Sequence, residues 1–269
     1  GEKMKCIGSL RVAQSEAIIK TIAGYHGKEV TRGKPILEGE LPLDGSRFAG
    51  QLPPVVPAPT FAIRKKAVAI FTLEQYVEAG TMTQGQYEAL KAAVKNHRNI
   101  LVIGGTGSGK TTLVNAIINE MVICDPMERV FIIEDTGEIQ CAAENFVQYH
   151  TSLEVPMTAL LKATLRMRPD RILVGEVRGA EALDLLDAWN TGHEGGAATL
   201  HANNAAAGLA RLRSLITRNE SAPAEIEPLI GEVVHVVVHI ARTPEGGRRI
   251  QEILEVSGYV DGRYITKTL

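Results

Sequence analysis

The stretch Gly104-Gly105-Thr106-Gly107-Ser108-Gly109-Lys110-Thr111 matches the pattern G-x-x-x-x-G-K-[ST] of a phosphate-binding loop. The apolar residues 99–103 precede it and predict a short buried strand, while residues 112–121 follow it with apolar side chains at helical spacing. A strand, a glycine-rich loop and a helix in this order form a P-loop, in which backbone N–H groups and the positive end of the helix hold phosphate. A glycine-rich turn that binds nothing is the alternative, and the Lys-Thr ending argues against it.

The P-loop predicts individual ligand contacts. The nucleotide-binding residues are expected to be Gly104, Gly105, Thr106, Gly107, Ser108, Gly109, Lys110, Thr111 and Thr112. Lys110 is placed to reach the β- and γ-phosphate oxygens, and the Thr111 hydroxyl is placed to ligate Mg²⁺. The sequence therefore predicts a nucleoside triphosphate and Mg²⁺ as the ligands of this site.

The composition limits the class of protein. The 269 residues are long for one domain and comfortable for two, and 45% hydrophobic residues support a sizeable core. A net charge of −2 does not indicate direct nucleic-acid binding, which usually needs a basic surface. The 3 cysteines have no C-x-x-C spacing and fit free thiols in a reducing cytoplasm. No apolar run approaches about 18 residues, so neither a transmembrane helix nor a signal peptide is predicted, and the first residue, Gly1, indicates a trimmed N-terminus.

Residues 1–70 predict a small N-terminal α+β domain. An amphipathic helix is expected over residues 10–23, ended by Gly24, and strands are expected over residues 35–41, 46–52 and 60–65. Leu43-Asp44-Gly45 predicts a hairpin turn. Prolines at positions 53, 54, 57 and 59 must lie outside any central strand, because proline cannot donate a ladder hydrogen bond.

Residues 71–269 alternate between helical and strand patterns, which predicts a mostly parallel sheet covered by helices on both faces. The expected helices are residues 73–79, 84–95, 157–166 with Thr158 as cap, 180–190 and 205–216; the expected strands beyond the P-loop strand are residues 130–133, 171–174 and 197–200. The tail, residues 233–241, 248–256 and 263–268, predicts antiparallel strands that close one edge. The predicted fold class is therefore α/β, with the small α+β domain in front.

Carboxylates follow two of these strands, at the sheet edge where open α/β folds bind ligands. Glu176 lies where a Walker B acid belongs and can orient or deprotonate an attacking water. Glu134, Asp135 and Glu138 follow the preceding strand and can polarise the nucleophile or hold Mg²⁺, Glu134 through water. The alternatives are a strand-end acid that only caps the next helix, for Glu176, and a solvated loop, for the other three.

Two histidines, His193 and His201, bracket the predicted strand 197–200. Beside a phosphate site, such a pair can sense the γ-phosphate or a neighbouring subunit, although a lone histidine is usually structural. Zinc is not predicted, because no cysteine or third histidine lies near in sequence.

Four segments together resemble the ATPases of type II and type IV secretion systems, and within them the TrbB-type conjugal-transfer branch. They are GGTGSGKTT over residues 104–112, IEDTGEI over 133–139, RPDRILVGEVRG over 168–179 and TGHEGGAATLHANN over 191–204. The resemblance extends roughly over residues 47–216, and the histidine-containing segment is its most specific part. The chain departs from the usual pattern at Gly179, where an aspartate often stands, and at Glu194, where a proline often stands.

The resemblance implies more than the residues alone do. It implies a RecA-like ATPase domain over residues 71–269 that hydrolyses ATP with Mg²⁺, preceded by a truncated PAS-like domain over residues 1–70. It implies a homo-hexamer in the cytoplasm, attached peripherally to the inner membrane through other secretion components. Arg47 and Arg64 match family positions that reach the phosphates from the N-terminal domain, and surface arginines on a small sheet are the alternative. Arg166 and Arg178 are further candidates for that task or for pairing at a subunit interface.

Other classes of P-loop protein fit less well. A P-loop kinase needs an acceptor pocket and usually an arginine-rich lid, and no such lid is recognisable. A GTPase needs an Asn-Lys-x-Asp guanine reader and an ABC-type ATPase needs a Leu-Ser-Gly-Gly-Gln segment, and the chain has neither. A nucleotide-gated assembly scaffold with little turnover stays open from the sequence alone.

Overall fold

The computed structural model describes residues 5–65, 70–152 and 154–269. It divides into two compact units, Gly1–Val68 and Ala69–Leu269. The predicted fold class is confirmed, since a small antiparallel sheet stands in the first unit and a mainly parallel sheet in the second.

The first unit packs one helix with a three-stranded antiparallel sheet of order β1-β2-β3. Its elements are α1 (Val12–Tyr25), β1 (Ile36–Glu40), β2 (Arg47–Gln51) and β3 (Thr60–Arg64). Ile19 of α1 and Phe48 of β2 lie in its apolar core, and Phe48 stacks on Phe61 with ring centroids 5.5 Å apart. The predicted turn between β1 and β2 forms because the Asp44 carboxylate accepts a hydrogen bond from the Ser46 N–H at 2.9 Å.

The second unit is built on an eight-stranded sheet of order β11-β10-β9-β4-β8-β7-β5-β6. In chain order its elements are α2 (Leu73–Glu78), α3 (Gln84–Lys95), β4 (Ile100–Ile103), α4 (Lys110–Cys124), β5 (Val130–Glu134), β6 (Phe146–His150), α5 (Met157–Thr164), β7 (Arg171–Val174), α6 (Glu181–Asn190), β8 (Ala197–Leu200), α7 (Ala205–Ile216), α8 (Ile226–Val233), β9 (Val236–Arg242), β10 (Arg248–Val260) and β11 (Arg263–Thr268). Strands β9, β4, β8, β7, β5 and β6 run parallel, so their carboxyl ends meet at one edge.

The core lies on both faces of this sheet. In β4, Ile100 and Val102 point to the face covered by α2, α3 and α4, whereas Leu101 and Ile103 point to the face covered by α5 to α8. All four side chains are buried, because neighbouring strands and both helical layers exclude water from them. Burial of such a side chain stabilises the fold by about 1.5–3 kcal/mol. The P-loop strand is therefore anchored on both sides immediately before the loop.

Local hydrogen bonds explain where several helices begin. Thr72 and Thr83 each form a capping box with the glutamine three residues later, and Asn204 accepts from the Ala207 N–H at 2.8 Å. The prediction that Thr158 caps α5 is wrong, because the capping position is Pro156, without a side-chain bond. Helix α5 also ends at Thr164, earlier than predicted.

Three elements of the second unit differ from the prediction. Strand β6 was not predicted, because it lies at the sheet edge and its sequence lacks a continuous apolar run. Helix α8 occupies residues assigned to strand or left as loop, and its short length conceals the helical period. Strand β9 pairs parallel with β4, so within the described part of this sheet the antiparallel pairs are β9–β10 and β10–β11.

Candidate nucleotide site

The P-loop has the backbone geometry that its glycines permit. Gly107 and Gly109 have φ angles of 68° and 101°, in the left-handed region that disfavours side chains. Gly109 occupies the capping position of α4, so the helix begins at Lys110. The loop thus directs the N-terminal end of a 15-residue helix toward the sheet edge, the arrangement that binds anions.

Lys110 lies folded against the loop it belongs to. Its side chain is only 8% exposed, and its Nζ donates hydrogen bonds to the carbonyl oxygens of Gly104 at 3.0 Å and Gly105 at 3.1 Å. The same Nζ lies 3.5 Å from Nδ1 of His201. The buried hydroxyl of Ser108 has no hydrogen-bond partner among the described residues, so the loop still has unsatisfied polar capacity. Both features fit a loop that holds phosphate.

The acidic segment after β5 approaches the start of α4. Oε2 of Glu138 lies 3.5 Å from the Thr111 hydroxyl, so one carboxylate and one hydroxyl stand side by side. These are oxygen ligands of the kind that Mg²⁺ prefers. The structure therefore brings Thr111 and Glu138 together, as expected from the sequence.

Glu134 has a different position from its neighbour. It is 3% exposed, and its Oε2 accepts hydrogen bonds from the backbone N–H groups of Glu138 at 2.9 Å and Ile139 at 3.1 Å. Its Oε1 accepts from Nε2 of Gln148 and lies 3.8 Å from His150. Burial raises the pKa of Glu134 despite these donors. Both oxygens are thus engaged in shaping the loop that presents Glu138.

Glu176 follows β7 and is held from two sides. Its Oε2 accepts hydrogen bonds from Nε and Nη2 of Arg178, the first at 2.9 Å, and its Oε1 lies 2.7 Å from Nε2 of His201. Arg178 also donates to Oδ2 of Asp135 at 2.9 Å, which connects the segments after β5 and β7. Burial and the charge of Lys110 lower the pKa of His201. His201 therefore stands between the loop lysine and the strand-end acid.

The position of Glu176 depends on Thr199, which sequence reasoning did not single out. The buried Thr199 hydroxyl donates to the Gly175 carbonyl at 2.6 Å, and the Thr199 carbonyl accepts from the Val177 N–H at 2.9 Å. A Cβ at Gly175 would lie 2.8 Å from Cβ of Glu134, so the residue before Glu176 must be glycine. The sequence signal for this role is that Thr199 is a polar residue within the otherwise apolar strand β8.

His193 does not join the other site residues. Its Nδ1 lies 3.1 Å from the Pro169 carbonyl, ahead of β7, while the nearby Gly195 N–H donates to the Asn99 side chain ahead of β4. These contacts place His193 at the amino ends of the strands, and His201 at their carboxyl ends. The predicted sensing of the γ-phosphate therefore fits His201, whereas for His193 sensing of a neighbouring subunit stays a prediction, because a strand carries its two flanks to opposite ends of the sheet.

The two N-terminal arginines are neighbours within their own unit. Arg47 begins β2, Arg64 ends β3, and the two residues are directly paired across these strands. The β2–β3 pairing thus brings together two residues that lie 17 positions apart in the sequence.

Comparison with known proteins identifies the group to which these features belong. Residues 29–253 match the family model described as type II/IV secretion system protein. The chain is a member of this family. Membership confirms the resemblance predicted from the four motifs. It also decides for a secretion ATPase over the P-loop kinase.

Several members of the type II/IV secretion system family are similar over most of their length. A probable conjugal transfer protein TrbB of Sinorhizobium fredii is 49% identical over 257 residues, which cover 96% of this chain and 78% of that protein. The conjugal transfer protein TrbB of Rhizobium radiobacter is 46% identical over 267 residues, 99% of this chain and 82% of that protein. The solved VirB11 ATPase from the Brucella suis type IV secretion system, in complex with sulphate, is 31% identical with a TM-score of 0.59, covering 87% of this chain and 77% of that one.

The lengths and hydropathy of the helices show whether any of them could span a membrane. Among the residues that the structure describes, no helix is both long and apolar enough to cross a bilayer.

Proposed function

We propose that this secretion ATPase hydrolyses Mg²⁺-bound ATP at the carboxyl ends of β4, β5, β7 and β8, and that the energy drives a type IV apparatus for conjugal transfer. One observation supports this most: five groups from four parallel strands and the P-loop converge on a single edge. They are Lys110, Thr111, Glu138, Glu176 and His201. Such a combination provides phosphate binding, metal binding and a base in one place.

The residues of the loop would hold the polyphosphate, through the backbone N–H groups at the start of α4 and through Lys110. Thr111 and Glu138 would hold Mg²⁺, which when bound neutralises charge on the β- and γ-phosphates. Glu134 would act one step further away, because its two backbone hydrogen bonds keep the Glu138 segment in place. This assigns Glu138, rather than Glu134, as the acidic residue nearest the metal.

Glu176 would orient and deprotonate the attacking water. Its ion pair with Arg178 and its contact with His201 fix the carboxylate at the edge of the sheet. His201 also approaches Lys110, so a change in the partners of Lys110 would alter the position of His201 and its contact with Glu176. His201 would therefore report to the base whether phosphate occupies the loop.

Arg47 and Arg64 would supply positive charge to the γ-phosphate from the N-terminal unit. Their direct pairing on β2 and β3 places both arginines on one face of that sheet, and positive charge on that face would suit an anionic ligand. An arginine engaged in this way accelerates phosphoryl transfer by about 10³–10⁵-fold.

The assembly part of the proposal is a homo-hexamer that contacts other secretion components peripherally at the inner membrane. Two relatives named as conjugal transfer proteins, similar over nearly the whole chain, support the conjugative role. Within such a ring, His193 would face a neighbouring subunit rather than the phosphate.

Two substitutions with matched controls test the chemistry. Lys110→Ala should abolish ATP binding and hydrolysis, whereas Lys267→Ala, at an exposed lysine of β11, should leave both unchanged. Glu176→Gln should bind ATP but hydrolyse it slowly, whereas Glu220→Gln, at an exposed turn, should hydrolyse it normally. Full turnover in Lys110→Ala or in Glu176→Gln would contradict the assignments.

Phosphate release by the wild type at a series of protein concentrations tests assembly. A rate per subunit that rises with concentration, together with a hexameric mass in the presence of ATP, is the expected result. Negligible release at every concentration would favour the nucleotide-gated scaffold instead.

A further inference from the structure

The P-loop strand β4 lies between two different neighbours. On one side are β8, β7 and β5, which supply the acids and His201 described above. On the other side lies β9, which continues into a hairpin with β10. Arg242 at the end of β9 and Arg248 at the start of β10 are directly paired in this hairpin. The β9–β10 hairpin thus places two arginines beside the flank of the P-loop that lies away from β8, β7 and β5.

Both arginines touch the loop itself. Nε of Arg242 donates a hydrogen bond to the Gly107 carbonyl at 3.0 Å. A Cβ at Gly107 would collide with the Arg242 guanidinium, and a Cβ at Gly109 would lie 2.8 Å from Cδ and 3.1 Å from Nε of Arg248. The two left-handed glycines of the loop therefore also make room for the hairpin.

The arginines present positive charge without being buried. Both side chains are exposed, although Arg242 is tied to Gly107 through Nε. This bond uses one edge of the guanidinium and leaves its terminal nitrogens to other partners. The chain as a whole has a net charge of −2, so two paired arginines beside a phosphate loop are a local concentration of positive charge.

The two flanks of the loop face different ends of a nucleotide. Thr111, Glu138 and Glu176 mark the end where metal and γ-phosphate belong, because those groups serve the transfer of the γ-phosphate. An extended nucleotide bound in the loop must then direct its nucleoside end toward the opposite flank. That flank is formed by the β9–β10 hairpin.

We propose that Arg242 and Arg248 bind the α-phosphate and ribose end of the nucleotide and that the bond to the Gly107 carbonyl positions the Arg242 guanidinium for this contact. This inference rests on the proposed nucleotide site but not on its hydrolysis step. The ligand class is the nucleoside diphosphate moiety common to ATP and ADP. The two arginines would contribute to nucleotide binding and not to phosphoryl transfer. Their loss should therefore weaken nucleotide binding and leave the rate of the chemical step unchanged.

The test measures dissociation constants of ATP and of ADP by calorimetry with Mg²⁺, and kcat and KM for ATP. Arg242→Ala and Arg248→Ala should each weaken both nucleotides about tenfold, the loss expected for one charge-assisted hydrogen bond. In both variants, KM should rise while kcat at saturating ATP stays within about twofold. The matched control is Arg249→Ala, because Arg249 is the exposed neighbour of Arg248 and pairs with Ala241; it should bind like the wild type.

Arg242→Lys separates charge from geometry. Lysine keeps the positive charge but lacks the planar fork in which Nε donates to the Gly107 carbonyl while the terminal nitrogens point elsewhere, so most of the affinity should stay lost. Full recovery of affinity in this variant would overturn the positioning role. Thermal unfolding checks that the exposed substitutions leave the fold intact.

Three other results would overturn the inference: unchanged ADP affinity in both alanine variants, loss of ATP affinity without loss of ADP affinity, or an equal loss in Arg249→Ala. Failure of the proposed hydrolysis is recognisable separately. In that case the wild type releases no phosphate, yet its ADP affinity still depends on the arginine pair.

Discussion

Replacing Glu134 by glutamine and by alanine distinguishes two roles for this acid. From the sequence it is a candidate Mg²⁺ ligand, whereas in the structure its oxygens are engaged by Gln148 and by the N–H groups of Glu138 and Ile139. Glutamine keeps an oxygen for the two N–H groups, and Gln148 can turn its amide to accept from the new NH₂, although it then loses its bond to the Ile139 carbonyl. Alanine removes every one of these bonds. If Glu134 is a Mg²⁺ ligand, both substitutions should weaken metal binding. If Glu134 only shapes the loop, the alanine substitution should do so and the glutamine substitution should not.

The magnitudes follow from the two backbone bonds, at 2.9 and 3.1 Å. Each hydrogen bond to a charged acceptor contributes about 1.5–3 kcal/mol, so alanine forfeits about 3–6 kcal/mol before any offset. Removal of a buried carboxylate returns part of this, since burial raises the pKa of Glu134. We expect Glu134→Ala to lower the free energy of unfolding by about 2–3 kcal/mol. Misplacement of Glu138 should raise the Mg²⁺ concentration for half-maximal ATPase activity by about 10–100-fold.

Glu134→Gln should behave differently in stability as well. Burial places the pKa of Glu134 in the folded protein above its unfolded value. The free energy of unfolding of the wild type therefore falls as the pH rises above about 4.5 and the buried carboxylate ionises. The neutral amide avoids this loss, so the stability of the glutamine variant should depend less steeply on pH above about 4.5 than that of the wild type. The glutamine variant should also be more stable than Glu134→Ala, because it keeps an acceptor for both backbone N–H groups.

The assay is the ATPase rate as a function of Mg²⁺ concentration, with Glu138→Gln as the comparison for a residue beside the metal. We expect half-maximal Mg²⁺ for Glu134→Gln to stay within about threefold of the wild type, and that for Glu138→Gln to rise at least tenfold, about the size of a lost ligand interaction. If Glu134→Gln raises the Mg²⁺ requirement as much as Glu138→Gln, the reasoning is refuted and Glu134 contacts the metal.

Three further changes probe the frame around the site. Asn99→Leu should lower the free energy of unfolding by about 3–6 kcal/mol in urea titrations, because this fully buried amide bonds three backbone groups of other segments. Thr199→Val should lower kcat about tenfold at unchanged KM, since loss of its bond to the Gly175 carbonyl releases the segment that holds Glu176, and an unchanged kcat would contradict this. Burial, reinforced by Arg98, lowers the pKa of His235, whose Nδ1 accepts the Asn99 N–H; stability should therefore fall as pH drops below about 6.5, and His235→Asn should fall less steeply.

Patterns that depend only on neighbouring residues were predicted well. Residues 84–95, 171–174, 197–200, 205–216 and 263–268 have the predicted bounds in the structure. Their ends are marked by local features, such as Thr83 before α3 and Asn204 before α7. The P-loop belongs to the same group, because its glycines, its lysine and the flanking apolar runs are all contiguous.

Features that depend on pairing between distant strands were not accessible in the same way. The edge strand β6 lacks a continuous apolar run, and the parallel pairing of β9 with β4 joins segments more than 130 positions apart. Likewise, nothing in the sequence near Arg242 and Arg248 connects them with the P-loop. They reach Gly107 and Gly109 only because β9 is the neighbour of β4.

The sequence by itself determined that the chain binds a nucleotide with a loop between a buried strand and a helix, and to which family it belongs, because those signals lie within short contiguous segments. Only the tertiary structure decided which polar residues share the site. Strand order and direction brought His201 to Glu176 and sent His193 to the opposite edge. Because both oxygens of Glu134 are engaged by Gln148 and by the N–H groups of Glu138 and Ile139, we propose that Glu134 supports Glu138 instead of contacting the metal.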